Sequence, residues 1–167
     1  GHAVAVASPV VGSYDGPILI CYGDMPLLRR STYESLLETH VREGNVCTLL
    51  TGTCDWDLPY GRILRDEKGG FQGVVEDRDC TPEQKAIREL NVGVYVFDSK
   101  KMFAALGQLK NNNAQKEYYL TDVPAILQRE GGRVGACCAC CGAELIGVNT
   151  VEQLRMVEEE LTRQKNA

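Results

Sequence analysis

Two oxygen-bearing side chains stand where an α/β protein does its chemistry. Asp24 follows the apolar run from Pro17 to Tyr22, and Asn149 follows Ile146-Gly147-Val148 just ahead of a helix start. In open α/β sheets ligands bind beyond the carboxyl ends of the strands, so both side chains are expected at that edge. A carboxylate and an amide are hard oxygen donors, suited to a divalent cation that keeps waters and phosphates as its other ligands. Each also has an ordinary reading: Asp24 as the cap of the turn at Pro26, Asn149 as a residue common before helix N-termini. Glu76, Asn91, Glu117, Tyr119 and Thr121 fall at strand ends or in loops. Together they could hydrogen-bond the hydroxyls and amide of a sugar; one at a time they are surface or capping residues, as Asn111-Asn112-Asn113 is by default a helix end.

A second constellation is sulfur. The chain has eight cysteines, four of them in Cys137-Cys138-Ala139-Cys140-Cys141. Adjacent residues of a strand point to opposite faces, so this run converges poorly on one ion, and a zinc site usually needs two separated pairs. The remaining ligands would have to come from lone cysteines or from His2 and His40. The simpler expectation is a buried strand from Arg133 to Cys140, with cysteine as a small apolar residue in a reducing cytoplasm.

The elements that must hold these groups follow from the pattern. With 167 residues, 44% of them apolar, the chain can bury one core. A net charge of -5 argues against a nucleic-acid-coating surface. No apolar run approaches the roughly 18 residues of a membrane helix, and no signal-peptide pattern opens the chain. Strand-like and helix-like runs alternate, which predicts an α/β domain with a largely parallel sheet. Pro17 to Tyr22 reads as a strand covered on both faces, and Val46 to Leu50 as a second buried strand. Ser31 and Glu34 form a capping box for a helix that Gly44 stops. Arg62 to Glu76 reads as a hairpin turning at Asp66 to Gly70. Thr81-Pro82-Glu83-Gln84 opens a short helix to about Arg88, Val92 to Phe97 is a strand, and Lys100 to Leu109 a helix. A helix from near Asp122 ends at Gly131-Gly132. Thr150 and Gln153 cap a closing helix with Val151, Leu154, Val157 and Leu161 on one stripe.

Six segments occur in the order and spacing of one family. They are Tyr22-Gly23-Asp24-Met25-Pro26-Leu27, Tyr60-Gly61-Arg62-Ile63, Val75-Glu76-Asp77 with Glu83-Gln84, Asn91-Val92-Gly93-Val94-Tyr95, the string from Asn112 to Asp122, and Gly147-Val148-Asn149. The chain resembles, from Gly1 to about Leu161, the uridylyltransferase domain of bacterial N-acetylglucosamine-1-phosphate uridylyltransferase, usually fused to an acetyltransferase. The resemblance implies a Rossmann-like nucleotide-diphospho-sugar transferase fold, a mostly parallel mixed sheet with helices on both faces. It divides the chain into a partial nucleotidyltransferase domain, 1–150, and a linker-type helix, 151–167. The implied reaction is uridylyl transfer from UTP to N-acetylglucosamine-1-phosphate, a cytoplasmic step toward peptidoglycan and cell shape, with no nucleic acid or membrane partner. By resemblance Asp24 and Asn149 hold Mg²⁺, and Tyr22, with Gly23 beside it, lies near the nucleotide. Gly61 through its backbone, Glu76, Asn91, Tyr119 and Thr121 contact the sugar or its phosphate, and Glu117 supports that pocket. No general base, and no catalytic side chain as such, is implied.

The sequence departs from the family's pattern in several places. The family's opening strand and its Gly-x-Gly-Thr-Arg phosphate loop do not occur in these residues, and Gly1-His2-Ala3 resembles a stretch that follows the uracil-contacting segment. The resemblance therefore also implies a missing first strand, an exposed apolar edge and self-association through it. Lys116 stands where the family often has Gly, a charge that would lie near a phosphate, and Val92 where it usually has a small hydroxyl residue. Two alternatives stay open: a module that binds sugar phosphate without turnover, and a transferase for another sugar-1-phosphate.

Overall fold

The computed structural model describes residues 1–166. Two short helices, α1 (His2–Ala5) and α2 (Ser8–Val11), precede β1 (Pro17–Ile20), α3 (Arg30–Glu43), β2 (Cys47–Thr53), β3 (Arg62–Arg65) and β4 (Phe71–Val75). There follow α4 (Pro82–Lys85), β5 (Glu89–Asp98), α5 (Ser99–Leu106), α6 (Val123–Arg129), β6 (Val134–Cys141) and α7 (Val151–Lys165). Five strands are ordered β4-β3-β5-β2-β6, and β1 pairs β5 as well.

Helices cover both faces of the sheet, as expected, and period-two alternation sorts the core between them. Leu49, Tyr95 and Phe97 pack with Met102, Ala105, Val123, Ile126 and Leu127 of α5 and α6. Leu50, Val92, Val94 and Val96 pack on the other face with Leu36 of α3, Cys140 and Leu145.

The largely parallel sheet needs a correction. Among the described residues only β2 and β6 are hydrogen-bonded in parallel; β1 with β5, β2 with β5, β3 with β4 and β3 with β5 are antiparallel. The reason is β5, which lies between β1 and β2. Those two strands and β6 do run in one direction, as helix-linked crossovers demand, but the long strand wedged among them runs against it.

β5 also opens the sheet. β2 lines one of its edges, while β1 pairs Tyr95 to Asp98 and β3 pairs Leu90 on the other. On that second edge, between the carboxyl end of β1 and the start of β3, residues 91–94 have no strand partner among the described residues. There β5 bulges: Leu49 faces Tyr95 and Thr51 faces Asn91, so three residues of β5 oppose Leu50 alone. Gly93 takes up the excess with φ +83°, a backbone position that disfavours any side chain.

Several local expectations shift. β1 is not covered on both faces: Pro17 and Leu19 are exposed, and β5 is its one strand partner among the described residues. β6 is a terminal strand of the sheet rather than a buried one, so Cys140 is buried while Cys138 and Cys141 are exposed. All eight cysteines are free, and no group of three or more metal-binding side chains occurs among the described residues. The capping box at Ser31 is replaced by a long-range cap. The α3 N-terminus begins after Arg29, whose N–H donates to Glu144 at 3.0 Å, while Thr32 donates to the same oxygen at 2.6 Å. A buried carboxylate at a helix N-terminus satisfies orphan donors and opposes the helix dipole, so it outcompetes the weaker local cap. Glu34 pairs instead with Arg30. The boxes at Thr81 and Thr150, the hairpin and the Gly44 stop at φ +62° form as the sequence predicts. In α7 Val157 alone of the stripe is buried; Val151, Leu154 and Leu161 are exposed. Among the described residues no helix is long and apolar enough to cross a membrane.

Candidate functional site

The gap along β5 is the floor of a cleft. Tyr22 and Asp24 reach it from the carboxyl end of β1, Tyr60 and Gly61 from the start of β3, Glu76 from the end of β4, Asn91 and Gly93 from β5, and Asn149 from the loop before α7. Six residues singled out in the sequence, Tyr22, Asp24, Gly61, Glu76, Asn91 and Asn149, therefore meet in one place although up to 127 positions separate them. Glu76 also lines a second pocket, with Tyr119, Thr121, Asp79, Lys110, Asn112 and Asn113. Gly23 and Glu117 line neither. Glu117 is held through its backbone, whose N–H donates to the Asn113 side chain at 3.1 Å and whose carbonyl accepts from the same amide at 2.6 Å.

Close backbone approach makes the cleft. A methyl on Gly61 would lie 2.8 Å from Val74 Cγ1 and 3.5 Å from Glu76 Oε2, so only glycine lets β4 bring its carboxylate this near. On Gly93 it would lie 2.1 Å from the Tyr22 ring, which rests on that bare backbone. On Gly147 it would lie 3.7 Å from both Asn149 Nδ2 and Asp24 Oδ2, so the two side chains flank the same bare glycine. The carbonyl of Asp24 accepts from Val148 N–H at 2.8 Å and ties their loops together.

Hydrogen bonds fix most of the polar side chains. Thr121 Oγ1 donates to Glu76 Oε1 at 2.7 Å and joins the two pockets. Asn91 Nδ2 donates to the buried Tyr95 hydroxyl at 2.7 Å, and Asn91 N–H donates to the Gly61 carbonyl at 2.8 Å. Among the residues lining the two pockets, Asp24 Oδ1 and the Tyr119 hydroxyl are buried without a partner. An orphaned buried carboxylate oxygen costs free energy unless a ligand meets it. Burial, with Glu76 and Asp24 nearby, raises the Tyr22 phenol above its ordinary value, so it is a neutral donor at physiological pH. Burial raises Tyr60 in the same way.

The sequence reading missed Tyr60, Gly93, Gly147 and Lys110 as functional positions. The first three lie inside segments already recognised, and their roles are backbone clearances and bridges that no residue type announces. Lys110 follows the helix-like run from Lys100 to Leu109 and carries no signal. Lys116 lies in neither pocket; it is exposed with φ +54°, where glycine is cheaper. The Val92 side chain belongs to the α3-side core.

The chain is 42% identical over 166 residues to the bifunctional protein GlmU of Exiguobacterium sibiricum, covering 99% of this chain and 37% of that protein. Against the protein of that name from Heliobacterium modesticaldum it is 44% identical over 161 residues, 96% of this chain and 35% of the relative. The chain thus spans a little over a third of the length of these relatives. No family model matches it. Among solved structures, UDP-glucose pyrophosphorylase complexed with UDP-glucose superposes with a TM-score of 0.74 at 15% identity, over 98% of this chain and 62% of that one. Its apo form gives 0.73. At such identity the likeness establishes a shared fold.

Proposed function

Because this chain aligns with GlmU proteins over virtually all of its own length, we propose that it furnishes the sugar-phosphate and metal side of a uridylyltransferase. The reaction is transfer of a uridylyl group from UTP to N-acetylglucosamine-1-phosphate, giving UDP-N-acetylglucosamine and pyrophosphate. The observation that carries this reading is Asp24 Oδ1, buried and unpartnered in a polar cleft, with Asn149 around the same bare Gly147. A hard carboxylate oxygen beside an amide suits Mg²⁺, which takes one or two protein ligands and keeps waters and phosphate oxygens. Asp24 and Asn149 would hold the ion, and when bound it supplies neutralisation of the phosphate charge.

The chain's own residues then have positioning to do. A sugar phosphate has a second pKa of about 6, so its oxygen is a competent nucleophile at neutral pH without a general base. That oxygen attacks the α-phosphorus of UTP in line, the bond to the β-phosphate oxygen breaks, and pyrophosphate leaves. Glu76, pinned by Thr121, accepts from sugar hydroxyls. Asn91, pinned by Tyr95, presents its amide, and Gly61 presents backbone at close range. The neutral Tyr22 phenol covers the cleft. Holding the reacting oxygen in line is worth far more than any single contact.

Pyrophosphate release by the full gene product from UTP and N-acetylglucosamine-1-phosphate tests the reading. Turnover is expected, with Asp24→Asn lowering kcat about 100-fold, the scale of removing one preorganised electrostatic partner. No release overturns it, and equal turnover of glucose-1-phosphate reassigns the sugar. One observation favours a narrower role for these 167 residues by themselves: they contain no Gly-x-Gly-Thr-Arg loop to cradle a triphosphate. Binding of the sugar phosphate without turnover is then the expected behaviour in calorimetry, and UTP turnover by this chain alone refutes that role.

A further inference from the structure

We propose that Tyr60 is a positioning residue that sets the distance between Asp24 and Asn149 from the sugar-phosphate side of the cleft. Its metal-related half rests on the function proposed above; its geometric half does not. The Tyr60 hydroxyl donates to the carbonyl of Leu145 at 2.8 Å and accepts from Gly147 N–H at 3.2 Å. Gly147 lies two residues before Asn149, and the next amide, Val148 N–H, is the one bonded to the Asp24 carbonyl at 2.8 Å. One phenol thus clasps the turn that leads to Asn149 and that holds the backbone of Asp24.

The other end of the side chain is equally fixed. The guanidinium of Arg62, itself 5% exposed, donates to the carbonyls of Leu58, at 3.2 Å, and of Tyr60, and pairs with Asp77 at 3.4 Å. Gly61, the next residue, is bonded through its carbonyl to Asn91 N–H at 2.8 Å. Tyr60 is therefore a strut with its backbone anchored beside the sugar-contacting peptide and its tip anchored beside the metal-contacting loop. The turn has been shaped to receive that tip: a methyl on Gly147 would lie 2.9 Å from the Tyr60 oxygen. A phenol that merely filled space would not need a bare glycine under its hydroxyl. Phenylalanine keeps the ring and the packing but loses both hydrogen bonds, so the variant separates position from bulk.

Tyr60→Phe is the test, read in two ways on the same 167-residue chain. Amide exchange by NMR requires no ligand: Gly147 N–H is expected to exchange about fivefold faster or more in the variant, the scale of one lost hydrogen bond, while amides of the β3–β4 hairpin are unchanged. Mn²⁺ binding followed by electron paramagnetic resonance is expected to weaken about fivefold, with N-acetylglucosamine-1-phosphate affinity within twofold. Gly147 exchange and Mn²⁺ affinity both within twofold of the parent overturn the proposal, as does loss of sugar-phosphate affinity equal to that of Mn²⁺, which marks general collapse of the cleft. Failure of the parent chain to bind Mn²⁺ more tightly than Asp24→Asn counts against the metal assignment, and the exchange rates alone then decide whether Tyr60 positions the turn.

Discussion

Replacing Gly93 by alanine separates what the bulge in β5 does for stability from what it does for the cleft. Two penalties arise. The backbone stays at φ +83°, where an L-residue costs roughly 1–2 kcal/mol. The new methyl also lies 2.1 Å from Tyr22 Cε2 and 2.4 Å from Cδ2, against an ordinary carbon contact of about 3.5–4.0 Å. The second penalty need not appear as stability, because Tyr22 is 52% exposed and its ring can swing away. It then leaves the cleft it lines. Gly93→Ala is therefore expected to lower unfolding stability by about 1–2 kcal/mol, or the melting temperature by roughly 2–8 °C for a chain of this size. On the function proposed above, affinity for UDP-N-acetylglucosamine is expected to fall about tenfold. A cycle with Tyr22→Ala tests the partition: in that background the stability cost persists but the further loss of affinity shrinks below about twofold. Urea unfolding and titration calorimetry on the four proteins give both numbers. A stability change under about 0.5 kcal/mol, or a second tenfold loss of affinity in the Tyr22→Ala background, refutes the reasoning.

Three further outcomes follow from the geometry. Glu144→Ala removes the acceptor for both Arg29 N–H and the Thr32 hydroxyl at the start of α3 and is expected to cost about 2–3 kcal/mol in urea unfolding, whereas Ser31→Ala costs under about 0.5 kcal/mol because Ser31 caps nothing. Burial lowers His40, whose Nδ1 meets Thr48 Oγ1 at 3.0 Å, below its usual value. The unfolded chain therefore binds the proton more readily, so this contribution is complete above a pH of about 6.5 and is lost as pH falls from there through the lower folded value; His40→Gln is expected to flatten that slope in stability measured from pH 7.5 to 5. In thiol titration at about pH 8, Cys21 and Cys141, both exposed, are expected to react first. Cys140, buried and pushed up to about 12, reacts only as the protein unfolds; fast labelling of Cys140 in the folded state would contradict its packing.

Much of the site was legible because its chemistry is written in residue types at the ends of apolar runs. Asp24 and Glu76 could be flagged from position, since a strand that stops delivers its next side chains to the sheet edge, whereas Asn91 lies within β5 and Asn149 in the loop before α7. Their convergence could not. It depends on β5 lying between β1 and β2, and a strand inserted against the direction of its neighbours leaves no mark in the alternation of strands and helices. The buried strand expected from Arg133 to Cys140 shows the same limit. Its apolar composition is real, but whether a strand is central or terminal is settled by which partners arrive, not by the strand itself.

By itself the sequence determined the elements whose causes are local: the Thr81 and Thr150 capping boxes, the Gly44 stop, the Asp66 to Gly70 turn, and the two-residue alternation that divides Leu49 from Leu50. These rest on interactions reaching four residues or fewer, which a linear pattern can express. Only the tertiary structure decided that Glu144 caps α3 from 115 positions away, that Tyr22 rests on the bare backbone of Gly93, and that Tyr60 clasps the turn before Asn149. Those contacts form between groups that the chain order keeps apart, and each depends on a cleared space, a glycine or a gap in the sheet, whose meaning exists only once the opposing surface has folded against it.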